Sequence, residues 1–326
     1  MKAAIYARLG PSYAVQITEV EKPVPKDDEV LIRVRAASVN PLDRLPFAVA
    51  RIARMTAGLL KPKPARLGVD AAGEVEAVGG NVTQFKPGDD VFGSGRGAFA
   101  EYLCATEVRL ALKPANLSFE DAAAVPVAAT TALQGLRDHG GIQRGQKVLV
   151  DGASGGVGTF SNQIAKSFGA EVTAVCSTRN VDTARTLGAD RVVDYTREDF
   201  TRGAERYDLI LAANAHHSLF DYRRALSRNG VFVFIGGGWS EMLQAMGLSP
   251  LLSRIGSKRM RWFVARLKHT DLVFLGNLLE TGKVASLIDR RYPLGDVAEA
   301  LRYLAAGHAQ GKVVINVAQG DETHPR

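Results

Sequence analysis

Val148-Leu149-Val150, followed by Gly152-Ala153-Ser154-Gly155-Gly156-Val157-Gly158, is the stretch that decides the fold of this chain. The apolar triplet reads as a buried strand. The glycine-rich run reads as a turn that binds phosphate. Beyond it Val157, Phe160, Ile164 and Phe168 recur at helical spacing until Gly169 stops the helix. A second strand follows over 171–176. Strand, glycine turn, helix and strand in this order predict a unit that holds a dinucleotide, and so point to redox chemistry.

In place of the G-x-G-x-x-G fingerprint the chain has Ala153-x-Gly155-x-x-Gly158. A small first residue permits the tight turn, Gly155 lets the backbone approach a pyrophosphate, and Gly158 lets helix and strand pack closely. Together with Ser154, Gly156 and Val157 they present free N–H groups at a helix start, where the helix dipole also favours an anion. The second strand runs into Ser177-Thr178-Arg179-Asn180. An NAD site usually carries an acid about there, bonded to the ribose 2′-hydroxyl. The first acid here is Asp182. Two hydroxyls and the forked guanidinium of Arg179 suit a 2′-phosphate instead, so NADPH is the expected cofactor.

With 326 residues, 46% of them hydrophobic, the chain can build two cores. A charged fraction of 23% is that of a globular protein rather than a disordered one. Two cysteines, Cys104 and Cys176, exclude a disulfide framework and a cysteine-rich zinc site. Met1-Lys2-Ala3-Ala4-Ile5-Tyr6 reads as a strand rather than a signal peptide, and no run nears the roughly 18 apolar residues of a membrane span. A cytoplasmic protein without stable membrane insertion is expected. The net charge of +7 is modest, but residues 242–270 contain no acid and carry Arg254, Lys258, Arg259, Arg261, Arg266 and Lys268. No nucleic-acid module accompanies them, so no nucleic-acid partner is expected. Met242, Leu243, Met246, Leu248, Leu251, Leu252 and Ile255 in the same stretch predict an amphipathic helix. It suits a wall for a bulky hydrophobic substrate or a homodimer contact, with a membrane surface as a third use.

Short strands with frequent Gly and Pro over the first 120 residues suggest a small β-barrel. From about residue 124 strands and helices alternate, which implies a parallel sheet. Further strands are read at 191–195, 207–212 and 231–235, the last ending in Gly236-Gly237-Gly238. Gly236 and Gly237 offer an edge where a flat nicotinamide ring can approach the backbone. A helix after Asp271, a helix over 296–306 and a strand over 312–315 are expected to rejoin the first domain. The boundaries are thus 1–123 with 265–326, and 124–264 between them. The polar tail 320–326 is expected to be disordered. His216-His217 precede a helix and lack a third ligand, so they read as surface residues.

Several segments together resemble the medium-chain dehydrogenase/reductase superfamily, in its zinc-independent, zeta-crystallin-like quinone oxidoreductase branch. They are Ser38-Val39-Asn40-Pro41-Leu42-Asp43, Gly68-Val69-Asp70-Ala71-Ala72-Gly73, Pro87-Gly88-Asp89-Asp90-Val91, Ala129-Thr130-Thr131-Ala132-Leu133, the Ala153–Gly158 turn, and Gly307-His308-Ala309-Gln310-Gly311-Lys312-Val313-Val314. The resemblance implies an α/β protein: a discontinuous GroES-like β-barrel domain around a Rossmann domain, with the active site in the cleft between them. It places Asn40 and Thr131 beside the nicotinamide and ribose, Tyr195 beside the adenosine phosphate, and Lys312 in the cofactor site. Many relatives carry a Tyr shortly after the Asn-Pro-x-Asp motif. Here Arg44, Leu45 and Pro46 follow, which leaves the proton donor unassigned, with bulk water as one source.

Zinc-dependent members of the superfamily use a Cys, a His-Glu pair and a second Cys near the metal. At those places this chain has Asn40, Val69-Asp70 and Val127. Valines cannot ligate zinc, and a catalytic site needs three N, S or O ligands, so no metal is expected. Without a Lewis acid, hydride transfer suits acceptors that spread charge themselves, namely quinones and α,β-unsaturated carbonyls. The protein then contributes positioning and hydrogen bonds to the developing oxyanion. The alternatives are a metal-free carbonyl or alcohol dehydrogenase, and a non-catalytic NADPH-binding sensor or structural protein.

Overall fold

The computed structural model describes residues 1–9, 12–44 and 65–317. Its strands are β1 (Lys2–Leu9), β2 (Ser12–Glu19), β3 (Glu29–Val39), β4 (Ala65–Arg66), β5 (Asp70–Val78), β6 (Asp90–Ser94), β7 (Tyr102–Thr106) and β8 (Leu110–Leu112). Helices α1 (Phe119–Ala123) and α2 (Pro126–Gln134) lead to β9 (Lys147–Asp151), α3 (Gly156–Ser167), β10 (Glu171–Cys176), α4 (Val181–Thr186), β11 (Arg191–Asp194) and β12 (Tyr207–Ala212). Then come α5 (Leu219–Ala225), β13 (Leu226–Phe234), α6 (Trp239–Leu252), β14 (Arg259–Trp262), α7 (His269–Glu280), β15 (Ile288–Pro293), α8 (Val297–Ala305) and β16 (Lys312–Asn316).

The chain separates into two compact units: residues 1–127, 267–280 and 288–326, and residues 128–266 with 281–287. In the first unit β15-β16-β3-β5-β6-β8 form a sheet, β7 pairs with β3, and β2-β1-β4 form a second sheet. Alternation along β3 buries Val30, Ile32 and Val34 against Leu103, Leu110 and Val313, so the closing strand β16 belongs to this barrel's core. β16 pairs antiparallel with β3, setting Val313 opposite Val39. This register brings Lys312 to the end of β3, beside Asn40.

The second unit is a six-stranded sheet in the order β11-β10-β9-β12-β13-β14, with every neighbouring pair parallel. That is the doubly wound dinucleotide-binding order, whose ligand crevice opens at the carboxyl ends of the strands where the order reverses, between β9 and β12. Burial explains the apolar runs Val148–Val150 of β9 and Val231–Phe234 at the end of β13. The segment 281–287 joins this unit through Gln163, which donates to the Ala285 carbonyl (3.0 Å) and accepts from its N–H (2.8 Å). Sequence reading had assigned it to the first domain.

Residues 236–268 differ from the single amphipathic helix read from sequence. A 14-residue helix, α6, is followed by β14, so the stretch also supplies the last strand of the sheet. The apolar residues of α6 surround it. Ala245 and Leu252 face the core, while Leu243, Met246, Leu248 and Leu251 are exposed. The basic residues fall on the strand and its flanks. Of the seven apolar residues named from sequence, six lie on α6 and Ile255 follows it, and the six spread too widely in angle for one face.

Candidate functional site

At the carboxyl end of β9, Gly152 turns the chain in the left-handed region (φ 79°), and a Cβ there would lie 2.7 Å from that of Asn214. Gly158 is needed for close approach, because a Cβ would sit 2.1 Å from the Gly152 carbonyl oxygen. Gly155 is different. A Cβ there would meet no protein atom closer than 3.6 Å, so its smallness leaves open space rather than relieving a contact. Gly155 is also the N-cap of α3, and no side chain caps that helix. Its first N–H groups are available to an anion. Asn162 reaches back from α3 to donate to the Ala153 carbonyl (3.3 Å), and the Ala153 N–H donates to Val175 on β10 (3.0 Å), so the turn is held from both sides. A helix start free of caps, with a cradle that any Cβ would fill, fits a dinucleotide pyrophosphate.

At the end of β10 Arg179 is exposed and Ser177 accepts from Asn180 Nδ2 (3.1 Å). Thr178 Oγ1 donates to Asp194 Oδ2 (2.6 Å), a carboxylate that sequence reading did not bring to this place. Parallel pairing of β10 with β11 puts Asp194 opposite Cys176. The other oxygen of Asp194 accepts from the Thr196 N–H (3.0 Å) and hydroxyl (2.7 Å). These hydrogen bonds, Thr178's first, hold its carboxyl below the usual carboxylate range. Tyr195, next to it, is 61% exposed.

Two further groups at this end were missed. Asp151 closes β9 as a buried carboxyl, and Tyr222 donates its hydroxyl to it. Burial raises the Asp151 pKa against the lowering effect of that bond. Tyr222 accepts from the His216 N–H (3.2 Å), and His216 Nε2 lies 2.9 Å from Asn214 Nδ2. Gly236 and Gly237 pack against the segment after β12. A Cβ on either would lie 2.8 Å from the carbonyl oxygen of Ala213 or Ala215, so close backbone approach alone already requires both glycines.

The first unit buries a polar cluster at the end of β3. Lys312 (3% exposed) donates through Nζ to Asn40 Oδ1 (2.6 Å) and to the Val39 carbonyl (3.2 Å). Its ammonium lies 3.9 Å from Asp70 Oδ2, so the pair is coupled mainly through Asn40, whose Nδ2 donates to the same oxygen at 2.9 Å. Asp70 is fully buried and also accepts from Ser38 Oγ (3.3 Å) and the Val127 N–H (3.2 Å). Asp43 accepts the Asn40 N–H (2.7 Å), a local i to i+3 cap readable from Asn40-Pro41-Leu42-Asp43. Sequence reading treated Asp70 only as a misfit for zinc. Its buried cationic partner comes from 242 residues further along the chain and left no local signal.

This cluster tests the zinc that the superfamily implies. A valine stands at two of the ligand places, and Asn40 is already bonded by an ammonium and to a carboxylate. A cation therefore sits among these groups as part of the chain itself. The donor set does not fit zinc. Among the described residues no group of three His, Cys, Asp or Glu is placed to hold a metal.

Burial pushes Asp43 up to about 7, with Asp70 adding to the rise and the Asn40 N–H and Lys312 opposing it. A carboxyl whose folded pKa is raised contributes stability that is complete below its unfolded value of 3.8 and is lost as pH rises toward 7. Asp43→Asn keeps an acceptor for Asn40 and removes the titration. Its melting temperature is expected to fall less than that of the parent between pH 5 and pH 8. Parallel curves for the two proteins in a thermal scan would count against the assignment.

The order of the parallel sheet and the uncapped glycine turn are those of a nicotinamide-dependent oxidoreductase. Residues 26–115 match the alcohol dehydrogenase GroES-like domain and residues 187–315 match the zinc-binding dehydrogenase domain. The chain belongs to the medium-chain dehydrogenase/reductase superfamily, among its quinone oxidoreductases. It is 32% identical to a chloroplast envelope quinone oxidoreductase homolog of Arabidopsis thaliana, over 94% of this chain and 95% of that one. It is 33% identical to an NADPH-dependent alkenal/one oxidoreductase of the same plant, over 97% and 79%. The quinone oxidoreductase of Coxiella burnetii superposes with a TM-score of 0.81 at 28% identity, covering 98% of this chain and 99% of that one.

Proposed function

We propose that this enzyme uses NADPH to reduce quinones or carbon–carbon double bonds conjugated to a carbonyl, and that it works without a metal. The observation that carries the reading is the Lys312–Asn40–Asp70 cluster, which places a protein ammonium among the residues where the superfamily's zinc ligands would stand. The quinone and alkenal/one oxidoreductases among its relatives support the substrate class. The bound nicotinamide supplies the hydride. Ala153, Ser154, Gly155, Gly156, Val157 and Gly158 form the pyrophosphate cradle, and the N–H groups at the start of α3 neutralise part of its charge. Ser177, Thr178, Arg179 and Tyr195 are assigned to the adenosine end, and Gly236 and Gly237 to the nicotinamide edge. Thr131 is assigned to the reaction. Asn40 has its amide committed to Lys312, Asp70 and the Ser38 carbonyl. Its proposed part, like that of Lys312, is to position neighbouring backbone. Leu45 and Pro46, in the segment read for a proton donor, lie outside the described residues.

Without a Lewis acid the residues provide proximity, worth roughly 7–11 kcal/mol, which suffices for acceptors that delocalise added charge. Quinones or enones are therefore expected to turn over about a hundredfold or more faster than simple alcohols and ketones, with no loss to chelators. Faster oxidation of cyclohexanol than reduction of any quinone or enone, or chelator-sensitive turnover restored by zinc, would establish the dehydrogenase alternative. Saturable NADPH binding with no turnover of either class would establish the sensor alternative.

Cofactor choice rests on Arg179 and Ser177 of the Ser177-Thr178-Arg179 run, because the Thr178 hydroxyl already donates to Asp194. NADPH is expected to bind about tenfold or more tighter than NADH, because a charge-assisted contact to the 2′-phosphate contributes roughly 1.5–3 kcal/mol. Arg179→Ala should erase most of that difference. Equal affinities in a fluorescence titration of the parent would rule the preference out. We also propose a homodimer in the cytoplasm. The edge strand β14 and the exposed Trp239, Leu243 and Leu251 of α6 offer the surface. Sedimentation and cell fractionation test the two points. No helix among the described residues is long and apolar enough to cross a membrane.

A further inference from the structure

The second unit carries a shallow, solvent-open pocket of about 500 Å³ lined by Phe220, Arg223, Arg224, Arg228, Gly256, Ser257 and Lys258. It lies at the wrong end of the sheet to serve the dinucleotide. β13 and β14 run parallel to β9 through β12, and the glycine turn follows the carboxyl end of β9. Arg228 stands near the amino end of β13, and Lys258 immediately precedes β14. A strand of about six residues separates the two ends by roughly 20 Å.

The pocket is strongly cationic, and four bonds define its charge. Arg224 is neutralised by Asp221 one turn earlier. The Nη2 of Arg223 donates to the Ile255 carbonyl, and Lys258 Nζ donates to the Arg223 carbonyl (2.8 Å). Carbonyl acceptors orient these two groups without cancelling their charge. Ser257 Oγ donates to the Arg228 carbonyl, tying the loop to the start of β13. The Arg228 side chain has no carboxylate partner among the described residues, and no carboxylate lines the pocket. Three uncompensated cations thus share one concavity. Burial, with Arg223 and Arg206 nearby, holds the Lys258 pKa below its usual value. Phe220 stands at the rim, 59% exposed.

We propose that this pocket is a second ligand site, for a small phosphate ester with a flat or apolar portion. Guanidinium forks match phosphate oxygens, three cations favour an ion of two or more charges, and Phe220 offers a face to the organic part. A cluster this compact lacks the long basic track that an extended strand of nucleic acid needs.

The test uses the full chain saturated with NADPH, so that the dinucleotide turn is filled. Calorimetric titration with inorganic pyrophosphate is expected to show one site per chain. Phenyl phosphate is expected to bind tighter than inorganic phosphate. Arg228→Gln combined with Lys258→Gln should weaken pyrophosphate roughly tenfold or more while NADPH affinity is unchanged. In the parent, pyrophosphate should shield Lys258 from an amine-acylating reagent while leaving the half-exposed Lys147 reactive, a readout that does not depend on the variant folding. No saturable binding, equal affinity in the variant, or no shielding of Lys258 overturns the proposal. Binding to phosphatidylserine vesicles without binding of free phosphate esters also overturns it, and assigns the patch to a lipid headgroup surface.

Discussion

Lys312→Met is expected to cost about 3–5 kcal/mol of folding stability, because it removes the cation facing a fully buried carboxylate. Asp70 would keep hydrogen bonds from Asn40, Ser38 and the Val127 N–H, but no countercharge. The size of the loss should depend on pH. Burial already pushes Asp70 up to about 6 while Lys312 holds it down, so removing Lys312 raises it further. The folded variant escapes much of the penalty by protonating Asp70. Protonation is easy at pH 5 and costly at pH 8, so the deficit in urea unfolding should grow between those values. Asp70→Asn added to Lys312→Met should restore most of the stability, since replacing a whole buried pair is often neutral where breaking it is not. A single variant that unfolds at the parent's urea midpoint at pH 8 would show that the pair is not ionised.

The dinucleotide turn was legible in sequence for a physical reason. Its signal is local: strand, glycines and helix lie within residues 147–167, and Gly152 and Gly158 are forced by backbone approach that any folded copy must satisfy. The strands 171–176 and 207–212 were read to the residue, because both are mostly buried and mostly apolar, broken only by Glu171 and Thr173 in the first and Asp208 in the second. The buried cluster was not legible. Asn40, Asp70 and Lys312 are brought together by the pairing of β16 with β3 and of β3 with β5; the resemblance put Asn40 and Lys312 in the cofactor site, but nothing local in sequence marks Lys312 as the buried partner of Asp70. The same reason hid Asp194, which reaches Thr178 only through the parallel pairing of β10 with β11. Stretch 236–268 failed differently. Counting apolar residues without testing their angular spread produced one helix, and the four-residue strand Arg259–Trp262 was too short and too basic to announce itself.

Gly158→Val should abolish measurable cofactor binding, whereas Gly155→Ala should weaken it without touching the fold. The two glycines lie three residues apart in one turn, yet they are glycines for different reasons. A Cβ at residue 158 would lie 2.1 Å from the Gly152 carbonyl oxygen and 2.7 Å from the Ala153 Cα, both backbone atoms that no rotamer change can move away. Helix α3 must then lift from β9, and the N–H groups at its start leave the place where a pyrophosphate would accept from them. The loss should exceed roughly a hundredfold, since more than one charge-assisted bond goes at once. The melting temperature should fall as well, because overpacking of this kind typically costs about 1–3 kcal/mol or more. At residue 155 the nearest protein atom would be 3.6 Å from the new methyl, an ordinary contact, and the backbone there (φ −79°) accepts alanine. Gly155→Ala should therefore melt with the parent, while its methyl occupies the space a phosphate needs and weakens NADPH about tenfold or more, the scale of one lost charge-assisted bond. Thermal scans and cofactor titrations of both variants separate the two roles. If Gly155→Ala bound NADPH as tightly as the parent, the open space beside it would not be the phosphate's, and the cradle assigned to residues 153–158 would have to be redrawn.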